Sequence, residues 1–192
     1  EVRYLDTYTL NLESRYANTD IDVSSFLNKT IIHSSGNTSV MARVLAATSA
    51  TDTDPPSLFI GKNYITGDEF GPGSTITTLD DNTITANIVA TSNASTKGML
   101  AFIDDSIFFF NGFFVKTPKQ VIVASKYTTA ANAKIGLELD DGIITEESDP
   151  SLLDPALESS NYQAPGAVRY KMDLVLARRD LDSEDDAGFI EI

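Results

Sequence analysis

Cysteine is missing altogether from this 192-residue chain, and histidine occurs only once, at position 33. Without cysteine the chain has no disulfide framework, no thiolate zinc site and no Cys nucleophile. A single imidazole cannot build a histidine-rich metal site, and no Gly-x-Ser-x-Gly elbow accompanies His33. Because His33 stands where a strand runs into the turn at residues 34–37, a surface or turn histidine is the favoured interpretation. The absence of cysteine also fits assembly in a reducing cytoplasm.

Basic residues are scarce as well. Lys and Arg number 14 against 28 Asp and Glu, which gives a formal net charge of −14. Nucleic acids and anionic membranes both attract basic surfaces, so this charge argues against either partner. The longest apolar run, residues 107–115, is far shorter than a membrane span. The N-terminus lacks the basic head and apolar centre of a signal peptide, and a start without Met is expected of a fragment of a longer protein.

The chain does contain a succession of short alternating apolar runs, separated by Gly, Pro, Asn and Asp. Hydrophobic residues make up 42%, enough for a packed core in one domain or in two small ones. The pattern predicts an all-β fold of one or two small antiparallel sandwich or barrel units, with long loops and little helix. The Ser/Thr/Asn-rich stretch at residues 91–97 is the best boundary. We therefore predict an N-terminal connecting segment (1–20), a small β domain (21–92) and a second β domain (98–192).

An aromatic hairpin is predicted in the second domain. Asn111-Gly112 is the strongest hairpin signal in the chain, and phenylalanines flank it on both sides, at positions 108, 109, 110, 113 and 114. Consecutive residues of a strand point to opposite faces, so aromatic side chains stand on both. We expect the core to cover one face and another element or subunit to cover the other.

The acidic residues give no catalytic pattern. Most pairs lie beside turn residues, where Asp and Asn bond to their own backbone, and adjacent acids do not face each other across a cleft. The sequence Asp140-Asp141-Gly142 predicts a turn into a strand at residues 143–146. In the tail, Asp180, Asp182, Glu184 and Glu191 have the spacing of EF-hand ligands, but Asp185 stands where glycine is required. A solvated or disordered acidic loop is therefore favoured over calcium binding, and we assign no catalytic, cofactor or metal residues.

The most distinctive stretch is residues 149–179, a loop rich in Pro, Ser and Asn followed by a strand. Residues 154–159 could form one helical turn with Asp154 as its N-cap. Pro165 fixes one backbone angle, and Gly166 would permit a positive one. Asn161 is expected to cap the turn and Tyr162 to anchor the loop on the sheet. Arg169 is expected to pair with Asp149 or Asp154.

This stretch resembles a domain-of-unknown-function family found in structural proteins of tailed bacteriophages, including contractile-tailed phages of cyanobacteria. The shared order is an acidic Asp-Pro-Ser-Leu turn (149–152), Pro-Ala-Leu (155–157), Asn-Tyr-x-Ala-Pro-Gly-Ala (161–167), Arg169 and a strand that ends in Lys or Arg (170–179). The upstream residues from Met99 follow the family pattern too, whereas residues 1–90 resemble it little. Val168 departs from the family pattern, in which many relatives have an Asp.

The resemblance implies a non-enzymatic virion protein of the tail, baseplate or tail fibre, assembled in the host cytoplasm. Its expected partners are other virion proteins and further copies of itself, and no cofactor is implied. The alternative is a β module that binds carbohydrate or a host receptor, because Tyr64, Phe70 and Tyr162 could stack on sugar rings.

Overall fold

The fold is almost entirely β, which confirms the predicted class: about 55% of the residues lie in strands and 4% in helices. The computed structural model describes residues 1–66, 69–80, 83–130, 132–184 and 188–192, and for 62–66 the backbone only. Within these ranges no helix has the length and apolar character of a membrane span. The strands described are β1 (Arg3–Asn11), β2 (Arg15–Tyr16), β3 (Thr19–Asp20), β4 (Thr30–Ser35), β5 (Thr38–Thr48), β6 (Ser57–Thr66), β7 (Thr75–Thr78), β8 (Thr85–Asn87), β9 (Ser95–Ile103), β10 (Ser106–Phe110), β11 (Phe113–Thr117), β12 (Gln120–Ser125), β13 (Ala133–Ile144), β14 (Arg169–Asp180) and β15 (Phe189–Glu191).

The largest sheet has eight antiparallel strands in the order β12-β9-β1-β6-β5-β4-β7-β8. It curls until its last strand returns to the end of β1. There Leu12 forms a bridge with Ile88, and the Glu13 N–H donates to the Asn87 carbonyl at 2.9 Å. The six strands from β1 to β8 therefore enclose a barrel-like core, as the regular spacing of short strands predicts.

Alternating side chains of these six strands fill the barrel. A short 3-10 turn, Val23–Phe26, covers one side, and Asp22 caps it by accepting a hydrogen bond from the Ser24 N–H at 3.0 Å. Phe26 is fully buried. The strand residues of this core are Leu10, Leu12, Ile31, Val40, Ala42, Val44, Leu58, Ile60, Ile76, Ala86 and Ile88.

Residues 1–20, predicted as a connecting segment, contain a central strand. β1 pairs with β6 over its C-terminal half and with β9 over nearly all its length. Its residues Thr7 and Thr9 are 1% and 0% exposed, and Thr9 donates to the Lys126 carbonyl at 3.0 Å. The even positions of the strand had been noted as alternating, but alternation alone does not show that a strand is paired on both sides.

The second half of the chain forms two layers. β9 and β12 extend the large sheet, and the hairpins β10–β11 and β13–β14 pack over them, around a second core. The buried residues of that core are Met99, Ala101, Ile103, Val115, Ala124, Ile135, Leu137, Leu174 and Leu176. The hydrophobic clusters thus separate near the predicted boundary at 91–97, while one sheet crosses it. The division of the chain into two domains stays a prediction.

Gln120 joins the two layers. Its Nε2 donates to the Leu174 carbonyl and its Oε1 accepts from the Leu176 N–H, both at 2.8 Å. Nearby, Arg178 Nε donates to the Ala124 carbonyl at 3.1 Å. β12 and β14 are not neighbours in a sheet, so these side chains satisfy backbone groups that a partner strand would otherwise satisfy.

The predicted turn at Asp140-Asp141-Gly142 is wrong. β13 continues through it to Ile144 and pairs with β14 in unbroken register from Ala133↔Asp180 to Ile144↔Arg169. Cross-strand partners replace the bonds that a turn would have supplied: Lys171 Nζ lies 3.1 Å from Asp140, and the Tyr170 hydroxyl donates to Asp141. A twelve-residue strand thus replaces two short ones. The predicted strand at the end of the chain is confirmed as β15.

The distinctive loop is ordered by Asp149 rather than by Asp154. Asp149 caps a 3-10 turn at Pro150–Leu152, and no helical turn forms at 154–159, where Asp154 accepts from the Ala156 N–H at 2.9 Å. Gly166 does not take the positive φ that was predicted. It is required because a Cβ there would overlap the Leu152 carbonyl oxygen.

The other expectations for this loop have mixed outcomes. At the expected cap, the Asn161 backbone carbonyl, and not its side chain, accepts from the Ala164 N–H at 2.8 Å. The Tyr162 side chain is 45% exposed, so it does not anchor the loop by burial. Hydrogen bonds from Ser151 lower the pKa of Asp149, and the charge of Arg169 lowers it further, which agrees with the predicted attraction between Arg169 and Asp149.

We predict that Gln120→Leu lowers the free energy of unfolding by about 1–3 kcal/mol, because it leaves a carbonyl and an N–H of a buried strand without partners. Chemical denaturation measures the change. The chain offers a matched control in Gln163, an exposed residue, where Gln163→Leu should change stability by less than about 0.5 kcal/mol. Equal effects at both positions would contradict the role given to Gln120.

Two glycines of β13 provide a second test. A Cβ at Gly136 would overlap the Ile190 carbonyl oxygen of β15, whereas a Cβ at Gly142 meets nothing within 4 Å. Gly136→Ala should therefore destabilise the fold by about 1–3 kcal/mol, and Gly142→Ala should leave it unchanged or stabilise it by up to about 1 kcal/mol. The comparison uses thermal and denaturant unfolding. A neutral Gly136→Ala would show that β15 does not pack against β13 as described.

Candidate interaction surface

The aromatic hairpin forms as predicted. Asn111 and Gly112 both have positive φ, 47° and 88°, as the two central residues of a type I′ turn require. The register places Phe109 opposite Phe114 and Phe110 opposite Phe113. Directly opposed residues of an antiparallel pair share a face, so the turn decides which phenylalanines face the core.

The two faces of this hairpin have opposite environments. Phe108, Phe110 and Val115 pack against the second core. On the other face Ile107, Phe109 and Phe114 are 67%, 66% and 78% exposed. The rings of Phe109 and Phe114 pack on each other, 5.2 Å apart and tilted by 55°, but no other part of this chain covers them. The core thus covers one face as predicted, and the second face is open.

A second exposed apolar group lies beside the hairpin tip. The far end of the β13–β14 hairpin extends beyond the residues paired with β15, and there Ile143 lies opposite Tyr170, 70% and 54% exposed. Phe113, at the hairpin tip and 55% exposed, packs on Tyr170 with ring centroids 6.3 Å apart. The two groups are therefore continuous. We call them together the aromatic surface, which consists of Ile107, Phe109, Phe113, Phe114, Ile143 and Tyr170.

Charges around the aromatic surface are divided between its two parts. The hairpin from Ser106 to Thr117 has one charged residue, Lys116, and therefore a charge of +1. The β13–β14 end is acidic: the Tyr170 hydroxyl donates to Asp141, and this bond raises the pKa of Tyr170. Lys171 forms ion pairs with Asp140 at 3.1 Å and with Asp173 at 2.9 Å, and these bonds raise the pKa of the lysine. The network fixes the exposed end of a two-stranded ribbon.

Ile143 and Tyr170 were not anticipated, because Asp140-Asp141-Gly142 was interpreted as a turn. A signal was nevertheless present. The run from Tyr170 to Ala177 alternates for eight residues, and a strand of that length needs a partner of similar length. Residues 133–144 are the nearest upstream segment that can supply one.

The candidates for chemistry lie apart from this surface. His33 is on β4, where its Nδ1 is 2.8 Å from the Thr75 carbonyl oxygen, so it is a hydrogen-bonded surface histidine. In the acidic tail Asp180 pairs with Arg178 at 3.1 Å, and Lys134 Nζ donates to the Ser183 carbonyl at 2.9 Å. Residue 185 of the proposed calcium loop lies outside the described residues. Within the described part, no group of three or more His, Asp or Glu could hold a metal ion.

The three aromatics proposed for sugar stacking are not assembled into a site. Phe70 is buried in the barrel core, Tyr162 lies on the exposed loop, and the Tyr64 side chain is outside the described set. A different aromatic does line a groove. A cavity of about 300 Å³ at one side of the barrel is lined by Tyr16, Asp20, Asp22, Ser25, Phe26 and Thr85, among others.

Comparisons with known proteins agree with the position of the distinctive loop. Residues 74–189, more than half of the chain, match the family described as Domain of unknown function (DUF4815). The match extends further toward the N-terminus than the resemblance noted from the sequence, and it takes in β7 to β14 and part of β15. No curated protein and no solved structure matches the chain. With its two hairpins and its distinctive loop inside the matched range, the chain belongs to the DUF4815 family.

Proposed function

We propose that this chain is a non-enzymatic assembly module and that it works in the tail, baseplate or tail fibre of a tailed-phage virion. The observation that carries the assembly role is the aromatic surface. It exposes four rings on rigid, hydrogen-bonded strands, at the edge of a core that could have buried them. Rings in this position contribute no packing to the fold, so the function that explains them is contact with another molecule.

The size of the aromatic surface suits a protein contact. The exposed fractions of Phe109, Phe113, Phe114 and Tyr170 together equal about two and a half rings, or roughly 400–600 Å² of apolar area. Monomeric proteins rarely expose a larger contiguous patch than this, and those that do use it for binding. Aromatic side chains are also the residues that contribute most to interface affinity, because they bury a large area with little loss of rotamer entropy.

The virion assignment rests on the resemblance of residues 149–179 to structural proteins of tailed phages. Membership of a domain family of unknown function is compatible with it and does not decide it. The partners proposed are other virion proteins and further copies of this chain, and the site of assembly is the host cytoplasm. A net charge of −14 supports this choice over nucleic acid or a membrane as the surface that the aromatic rings meet.

Phe114→Asp tests this proposal directly. Placing a carboxylate in the middle of an apolar contact should cost at least about 2 kcal/mol, a loss of affinity of about 30-fold or more. A phage genome that encodes the variant should yield purified virions with at least tenfold less of this protein, as measured by quantitative mass spectrometry. Leu79→Asp is the control, since Leu79 is 45% exposed on the barrel. Phe114→Asp should leave the thermal unfolding temperature unchanged.

Two results would count against the proposal in different ways. If the unaltered protein is absent from purified virions, the virion role is wrong. If the protein is present and Phe114→Asp and Leu79→Asp are incorporated equally, the aromatic surface is not the contact.

Carbohydrate binding is the second candidate, and the groove beside Tyr16 favours it. The groove combines an aromatic ring with carboxylates and hydroxyls, which suits the apolar face and the hydroxyls of a sugar. Its carboxylates, Asp20 and Asp22, favour a neutral sugar over an acidic one. On a glycan array with calcium present, this candidate predicts a neutral ligand whose binding falls at least tenfold in Tyr16→Ala and is unchanged in Tyr162→Ala. An array without binders would remove it.

A further inference from the structure

We propose that the molecule covering the aromatic surface is a second copy of this chain, related by a two-fold axis. In this arrangement the β10–β11 hairpin of each copy lies on the exposed β13–β14 end of the other. The inference rests on the proposed assembly function, and it adds the identity of the partner and the symmetry of the contact.

The first argument is charge complementarity. The hairpin from Ser106 to Thr117 carries +1. The β13–β14 end has Glu138, Asp140, Asp141, Glu146, Glu147 and Asp149 on one arm and no base, and Arg169, Lys171 and Asp173 on the other, so its charge is −6 + 2 − 1 = −5. The hairpin is thus a weakly basic, aromatic segment next to a strongly acidic one. It fits an acidic partner with exposed apolar side chains, and the chain itself provides such a partner.

The second argument is geometric. The Phe113–Tyr170 contact places the basic and acidic parts side by side on one surface. A two-fold axis that passes between them brings each part against its opposite in the other copy, so both contacts form at once. Such an interface is self-complementary: when Lys116 of one copy faces the acidic ribbon, Lys116 of the other does so too. Between two chains of charge −14, this is the orientation in which the facing segments have opposite charge.

The third argument is area. A stable dimer buries about 800 Å² on each partner, with an apolar centre and a polar rim. The four rings supply roughly 400–600 Å². Ile107 and Ile143, both about two-thirds exposed or more, add to the apolar centre, and the charged residues of the ribbon supply a rim. The aromatic surface is therefore large enough to be the main part of such an interface without any contribution from the barrel.

The oligomeric state of the full chain tests the first half of the proposal. Size-exclusion chromatography with light scattering should give a mass of two copies that does not increase further with concentration. Phe114→Asp should raise the dimer dissociation constant at least 30-fold, with Leu79→Asp as the unchanged control. Lys116→Glu should also weaken the dimer, and Lys116→Glu combined with Glu147→Lys should recover part of the loss. Circular dichroism of each variant keeps a folding defect apart from a loss of association.

Cross-linking tests the arrangement, and the absence of cysteine makes it direct. Ile107→Cys reports on the hairpin and Ile143→Cys on the ribbon, and both replacements are small changes at exposed positions. With a short bis-maleimide, a mixture of the two single variants should cross-link at least tenfold more than Ile107→Cys alone. Preferential linking of Ile107→Cys to itself would show hairpin against hairpin and would overturn the arrangement.

The outcomes separate this inference from the function on which it rests. A monomer at all concentrations, or a dimer unaffected by Phe114→Asp, overturns the second-copy proposal. If such a protein is still incorporated into virions through Phe114, another virion protein covers the surface and the assembly role stands. If incorporation is also independent of Phe114, both proposals are wrong.

Discussion

The architecture depends on one strand that serves two cores. β1 closes the barrel through its C-terminal residues, where Leu12 meets Ile88, and its N-terminal residues pair with β9 of the second half. Its backbone is hydrogen-bonded on both sides, and one face of it is lined with buried threonines. A break in β1 would open the barrel and remove the support on which the two hairpins pack. The chain is therefore mechanically continuous, although its hydrophobic clusters are separate.

The sequence predicted what is decided locally. Alternation and turn residues were enough for the all-β class, for the strands of the barrel and for the Asn111-Gly112 hairpin, because each of these depends on neighbouring residues. It failed where a distant partner decides. Asp140-Asp141-Gly142 has the composition of a turn, yet pairing with residues 171–173 holds it extended. Gly166 was explained by backbone freedom, while its actual reason is the nearby Leu152 carbonyl, which no local pattern contains.

The candidate surface was half predictable for the same reason. Five phenylalanines around a tight turn imply rings on both faces, and one face is indeed open. The sequence could not indicate which face, because the register and the packing of β10–β11 on the second core decide it. Nor could it indicate that Tyr170 and Phe113, 57 residues apart in the chain, form one surface. Those facts depend on how the two hairpins lie on β9 and β12.

The Gln120 side chain has a consequence for how this protein can associate. By donating to Leu174 and accepting from Leu176, its amide occupies the middle of the open edge of β14 as an incoming strand would. An edge occupied in this way cannot recruit a strand from a neighbouring molecule, which is the usual route by which β-rich proteins form open-ended fibres. Growth by sheet extension is blocked at that edge, so association there is left to side chains, whose contacts are finite and can be saturated. For a protein produced in many copies in one cell, that difference separates a defined particle from an aggregate.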